Sequence, residues 1–182
     1  MSPDPIKLQL LIDREEIRDA TLRYSRGLDR HDTELLVSAY HPDARDDHGG
    51  FIGNREDFAR ANNALHAKNW VRHQHHMTNQ IIEVDGDSAH CESYIIVNLV
   101  RADGTIDMAG SRYVDRLEKR DDVWAITDRV CVLEWAGELA ASSNIPPFDL
   151  FILGRWDKDD ISYARPLVAD RPVRDLFTPK DS

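Results

Sequence analysis

The sequence predicts an α+β domain, and three observations carry that prediction. Helical patterns fill the chain before residue 71, four long strand-like runs follow, and each run is joined to the next by turn chemistry. The first helix covers about residues 8–28. Ile17, Ala20, Thr21, Tyr24 and Leu28 share one face there, while Arg14, Glu15, Arg18 and Arg26 fall elsewhere. Gly27 weakens the last turn and places Asp29 where the helix ends. A second helix starts from an Asp32 cap, runs through Leu35, Leu36, Ala39 and Tyr40, and stops at Pro42. Residues 41–54 are polar, with Gly49, Gly50 and Gly53, and read as a short hairpin or loop. A third helix over about residues 55–68 aligns Phe58, Ala61 and Leu65.

The strand-like runs are Val71–Val84, Ala89–Arg101, Ile106–Glu118 and Val123–Trp135, rich in β-branched and aromatic residues. The links DGDS, ADGT and KRDD suit antiparallel hairpins. Runs this long twist or bulge, and Gly110 is the expected bend. The helices then close one side of a long, curved, mainly antiparallel sheet. Residues 1–136 form this domain. Residues 137–182 are punctuated by Pro146, Pro147, Pro166 and Pro172, yet carry Phe148, Leu150, Phe151, Ile152 and Trp156. That extension is too apolar for a free linker, and is expected to pack over the pocket mouth or on a neighbouring subunit.

Composition narrows the function. An apolar content of 41% supports a folded core. A net charge of −10 argues against nucleic acid as a partner, because phosphate binding needs clustered Lys and Arg. Cys91 and Cys131 form no CxxC motif and read as buried small hydrophobes. The N-terminus lacks a basic-then-apolar leader, and no run approaches the ~20 apolar residues of a membrane span. A cytoplasmic protein is expected. There is no GxSxG, no P-loop, no HExxH and no GxGxxG in a nucleotide-binding context, which leaves cofactor-free acid–base chemistry as the natural class.

The run VRHQHHMTNQIIEV concentrates His73, His75 and His76. Strand alternation puts His73 and His75 on one face and His76 on the other, with Gln74 and Thr78. An HxH pair can place two imidazoles on one ion, but a third ligand from Glu92, Asp107 or Asp128 is selected by no spacing rule, so no metal site is assigned and His73 and His75 read as partly exposed strand histidines. An aspartate that holds an imidazole in one tautomer makes it a general base, and Asp29 is a candidate for that role toward His76. Asp29 reads equally well as a turn or cap residue, and Asp32 and Asp46 are as anonymous. Tyr24 and Tyr113 can donate hydrogen bonds to a leaving group or an enolate oxygen, or simply pack in the core. Arg129 interrupts an apolar strand and is expected to pair with a carboxylate or a ligand oxygen.

The segments YSRGLDRHD, HHMTNQIIEVDGDSA and VWAITDRVCVLEW, in this order of helices and meander, resemble the SnoaL-like branch of the NTF2-like superfamily over about residues 8–136. The resemblance implies an α+β cone whose sheet wraps an apolar pocket. It also implies an aspartate–histidine dyad, matched here by Asp29 in GLDRHD and His76 in HHMTN, with Tyr24 five positions before the aspartate and Tyr113 in mid-sheet. A last-strand arginine found in one member would fall near Leu133, so that role is not carried over. The implied activity is that of a cofactor-independent lyase of dehydratase, dehydrohalogenase or formaldehyde-releasing type, acting on a small apolar, aromatic or polycyclic molecule. His76 is then the base, Asp29 orients it, Tyr24 and Tyr113 assist the leaving group, and Arg129, Trp70 and Met77 contact substrate. No cofactor and no metal are expected, and the assembly is expected to be a homo-oligomer, a trimer or dimer. An isomerase or polyketide cyclase using the same dyad, or a non-catalytic partner subunit like a dioxygenase β chain, remain the alternatives.

Overall fold

The computed structural model describes residues 4–141 and 151–172. Helix α1 spans Pro5–Asp29, starting before the apolar pattern because Asp4 caps it and Pro5 takes the first helical position. The Asp4 carboxylate accepts from the Ile6 amide at 3.0 Å. The face carrying Ile17, Ala20, Tyr24 and Leu28 is buried as its spacing requires. Helix α2, Thr33–Val37, is capped by Asp32, whose Oδ1 accepts from the Leu35 amide at 3.2 Å.

The second helix is shorter than expected. Tyr40 opens strand β1, Tyr40–Asp47, instead of ending a helix. Pro42 sits within that strand where the pairing with the last strand is interrupted between Tyr40 and Arg45, so its missing N–H costs no ladder bond. Strand β2, Ile52–Gly53, folds back antiparallel on β1 and completes a short hairpin. Helix α3, Arg55–Asn69, is capped by Asn54, whose side-chain oxygen accepts from the Asp57 amide at 2.8 Å.

The expected inward face of α3 is corrected. Ala61 and Leu65 are exposed, and the buried residues are Phe58, Ala59 and His66. Phe58 and His66 lie two i,i+4 steps apart on one side, and a count of apolar residues alone passes over a stripe that ends in a histidine.

Strands β3 (Arg72–Asp85), β4 (Ser88–Val100), β5 (Ile106–Arg120) and β6 (Val123–Leu139) form the meander. The six-stranded sheet has the order β2-β1-β6-β5-β4-β3, antiparallel except where β1 runs parallel to β6. Strand β6 continues to Leu139, past the expected domain edge at residue 136, because Ile106 and Asp107 still pair with Leu139 and Glu138. Register shifts at Gly110/Ser111 and Arg116/Leu117 bend β5 against β6. A Cβ at position 110 would stand 2.2 Å from the Trp135 ring, so the ring rests directly on Gly110. The core between helices and sheet is built on Ile17, Leu36, Phe58, Leu117, Trp124 and Ile126.

Part of the C-terminal extension packs on its own domain, beside the end of α1. A 3-10 turn, Ile161–Tyr163, presents the Tyr163 hydroxyl to Asp32 Oδ2 at 2.7 Å. Lys158 also reaches Asp32, and Arg26 donates to the Ser162 carbonyl at 3.3 Å. Pro146, Pro147, Phe148 and Leu150 lie outside the described residues.

Gly27 and Gly110 make close approaches of different kinds. A Cβ on Gly27 would meet the backbone of Leu36 at 2.5–2.6 Å, so α1 and α2 touch through main chain. The Trp135 ring opposite Gly110 is half exposed and can swing away. Gly27→Ala should therefore cost about 2 kcal/mol or more, and Gly110→Ala clearly less. Urea unfolding of both variants checks the order.

Candidate active site

The end of α1, the start of β3 and the last turn of α3 converge on one carboxylate. Asp29 is the final residue of α1, and its Oδ1 accepts from His75 Nδ1 at 2.7 Å and His73 Nδ1 at 3.1 Å. The His75 amide adds contacts at 3.0 and 3.1 Å to the two carboxylate oxygens. Burial raises the Asp29 pKa, but the donors from His73 and His75 outweigh it and hold the carboxyl at about 2. An ionised Asp29 only accepts, so both imidazoles carry their proton on Nδ1. Each presents a lone pair at Nε2.

The expected partner of Asp29 is thus corrected. His76 is exposed on the opposite face of β3, where its Nε2 meets Asn98 Nδ2 at 3.2 Å. Strand parity separated these histidines correctly; the resemblance chose the wrong parity. A shift of one residue along a strand is a change of face.

Two further histidines join the cluster. His73 Nε2 lies 3.2 Å from His31 Nε2 and 3.2 Å from His66 Nδ1. His31 follows α1 with a positive φ of 50°, a left-handed conformation that carries strain in a non-glycine residue. His66 comes from the last turn of α3. Burial, then the neighbouring His73, pushes His66 down to about 2 and His31 to about 4. Burial also lowers His73, against the Asp29 hydrogen bond that raises it. Trp156 of the C-terminal segment stacks on the His31 ring, with centroids 4.1 Å apart and planes 11° from parallel.

Tyr24 and Tyr113 belong to a second network inside the cone. Their rings meet edge to face at 5.3 Å. The Tyr24 hydroxyl is 3.0 Å from His48 Nε2, His48 Nδ1 contacts Asp46, and the Tyr40 hydroxyl donates to the other Asp46 oxygen. Desolvation raises Tyr24 well above the usual phenol range, with Tyr113 and Tyr40 adding to it. Arg129 donates to Asp115 through Nε at 2.7 Å and Nη2 at 2.6 Å, and its guanidinium lies 4.0 Å from the Tyr24 ring centre and 4.2 Å from that of Tyr113. The pair is fully buried, and Arg129 Nη1 has no hydrogen-bond partner among the described residues.

Trp70 caps α3 and donates from Nε1 to Asp107 at 2.7 Å, with its ring edge-on to His66 at 5.5 Å. Met77 is half-buried against the core. Glu92 and Asp107 are engaged by Arg112 and Arg101, and Asp128 is 3.8 Å from Arg116. None of these three carboxylates is in the histidine cluster.

Sequence reasoning missed His31, His48 and His66. His31 stands inside the quoted GLDRHD segment, and that proximity to Asp29 was the available signal. His66 and His48 carried none, because histidine is intermediate in burial and no spacing marks a single helical or loop histidine as inward.

Residues 9–130 match the family model described as the SnoaL-like domain. A search of curated proteins returned no match. Among solved structures, the chain is similar to Rv3472, a protein of unknown function from Mycobacterium tuberculosis, at 28% identity, covering 72% of this chain and 76% of that one with a TM-score of 0.64. It is similar in fold to hexachlorocyclohexane dehydrochlorinase LinA-type3 from Novosphingobium barchaimii at 21% identity, covering 78% and 99% with a TM-score of 0.69. A putative scytalone dehydratase from Novosphingobium aromaticivorans matches at 18% identity, covering 72% and 91% with a TM-score of 0.64. The shared architecture is the NTF2-like α+β cone.

The depressed Asp29 pKa has a stability consequence with a defined sign. A carboxyl whose folded pKa lies below its unfolded value stabilises above the unfolded value near 4 and loses that contribution as pH falls toward 2. Asp29→Asn should cost on the order of 2 kcal/mol at pH 7, and the gap to wild type should close between about pH 4 and pH 2. Chemical denaturation across that range is the measurement.

Proposed function

We propose, on the premise that this chain belongs to the SnoaL-like domain family, that it is a lyase working without an organic cofactor. It removes a small leaving group from an apolar, aromatic or polycyclic molecule. The observation that carries this reading is the Asp29–His75 pair, 2.7 Å Nδ1 to Oδ1 and anchored further by the His75 amide. Asp29 holds His75 in the Nδ1–H tautomer, which leaves the Nε2 lone pair on the side away from Asp29 as a base, and the adjacent negative charge stabilises the imidazolium that forms. His75 takes a proton from carbon, the C–H electrons become the new double bond, and the leaving group departs with its bonding pair. Tyr24, turning its hydroxyl from His48, or Tyr113 beside it, is assigned the hydrogen bond to the leaving group. The likeness in fold to proteins described as a dehydrochlorinase and a putative scytalone dehydratase supports this class of reaction.

An isomerase is the second reading, and one observation favours it. The Tyr24–His48–Asp46 chain next to Tyr113 is suited to hold an enolate oxygen rather than expel a group. The mass of the product separates the two. A second copy of the chain is the proposed partner, covering the exposed Ile81, Val114 and Val130, which share one row of the sheet with Glu92 of β4 between Ile81 and Val114. No helix among the described residues is long and apolar enough to cross a membrane.

Aryl diols, halogenated rings and hydroxysteroids incubated with the protein should give a product lighter by the leaving group in mass spectrometry. His75→Asn should lower turnover by about 10²–10⁴-fold, whereas His76→Asn leaves it near wild type. Equal loss in both variants would remove His75 from the mechanism. Sedimentation equilibrium should give two or three times the chain mass, and Val114→Lys should lower it.

A further inference from the structure

Asp29 grips two imidazoles, and only one is needed as a base. The other, His73, turns its Nε2 toward His31 Nε2 and His66 Nδ1, each at 3.2 Å. We propose that His31, His66 and His73 form a binding site for one divalent transition-metal ion of borderline softness, with Zn²⁺ as the reference ion. The three nitrogens lie within 4.8 Å of one another.

Hydrogen bonding alone serves this arrangement poorly. His73 Nδ1 is committed to Asp29 at 3.1 Å, so Nε2 of a neutral ring has one in-plane lone pair for two neighbours. His66 Nδ1 also lies 3.5 Å from Asn62 Nδ2, at the limit of a hydrogen bond. With the His66 proton on Nε2, its Nδ1 lone pair faces the His73 Nε2 lone pair across 3.2 Å. In that tautomer a cation between the two nitrogens is coordinated by both. Two nitrogens at ~2.0–2.1 Å from a tetrahedral ion are separated by about 3.3 Å, close to both observed spacings.

The surroundings match what such an ion needs. The Asp29 carboxylate behind His73 makes a carboxylate–histidine–metal relay that orients the ring and raises its basicity. His66 and His73 are buried, and Trp156 roofs His31 and lies 5.1 Å from the His73 ring. A donor set of three imidazoles selects zinc, cobalt, nickel or copper over magnesium or calcium, which prefer oxygen. The fourth position is left to water. The ion would join three elements at one point: the residue after α1, the last turn of α3 and β3. His75 keeps its own Nε2 for proton transfer, and the two sites share only Asp29.

The test is binding, read without any substrate. The full chain is stripped with EDTA, desalted and titrated with Zn²⁺ by calorimetry and with Co²⁺ by visible absorption. One ion per chain is expected, with a rise in melting temperature that grows with free Zn²⁺. His31→Gln, His66→Gln and His73→Gln should each weaken binding by about 10-fold or more, while His76→Gln, on the far face of β3, leaves it unchanged. His31 lies in a partly exposed turn, so His31→Gln keeps the test valid where a buried variant fails to fold. Absence of stoichiometric uptake by wild type, or uptake unaltered by both His31→Gln and His66→Gln, overturns the site.

Discussion

A carboxylate at the C-terminal end of a helix is in a poor place. The last carbonyls of α1 already carry partial negative charge, and Asp29 adds a full one with little water to solvate it. It remains ionised because three N–H groups of β3 converge on it: the His73 and His75 rings and the His75 amide. Those bonds bind the first helix to the first long strand. They also fix the tautomers of two imidazoles, and so decide which nitrogen of each is free.

The interior of the cone repeats the principle with the opposite charge. Arg129 is buried in an aromatic box and survives there because Asp115 accepts two of its donors and the Tyr24 and Tyr113 faces attract the rest of the cation. Beside it, Asp46 gathers His48 and Tyr40, and His48 in turn holds Tyr24. The centre of the molecule is therefore a set of paired charges and committed hydrogen bonds. Such a lattice sets each side chain's orientation closely, since an unpaired member would be left desolvated.

Much of the framework was legible before any coordinate. The apolar spacing of Ile17, Tyr24 and Leu28 located α1, Asp32 was read as a cap and serves as one, and the turn sequences placed the hairpins of β3–β6. Tyr40 was misplaced because a short helix and a strand beginning share the same apolar residues. Leu65 was misplaced because the inward stripe of α3 ends in His66 rather than in a hydrophobe.

The sequence by itself determined the α+β class, the order of the elements, and the separation of His73 and His75 from His76, because these follow from period-3.6 and period-2 spacing along one chain. Only the tertiary structure decided which face of β3 meets α1, and with it that Asp29 takes His73 and His75 and leaves His76 to Asn98. The same holds for the gathering of His31, His66 and His73 from three separate elements beneath Trp156. Periodicity reports the faces of an element. Which face turns inward depends on contacts between residues more than 40 positions apart, as between Asp29 and His73.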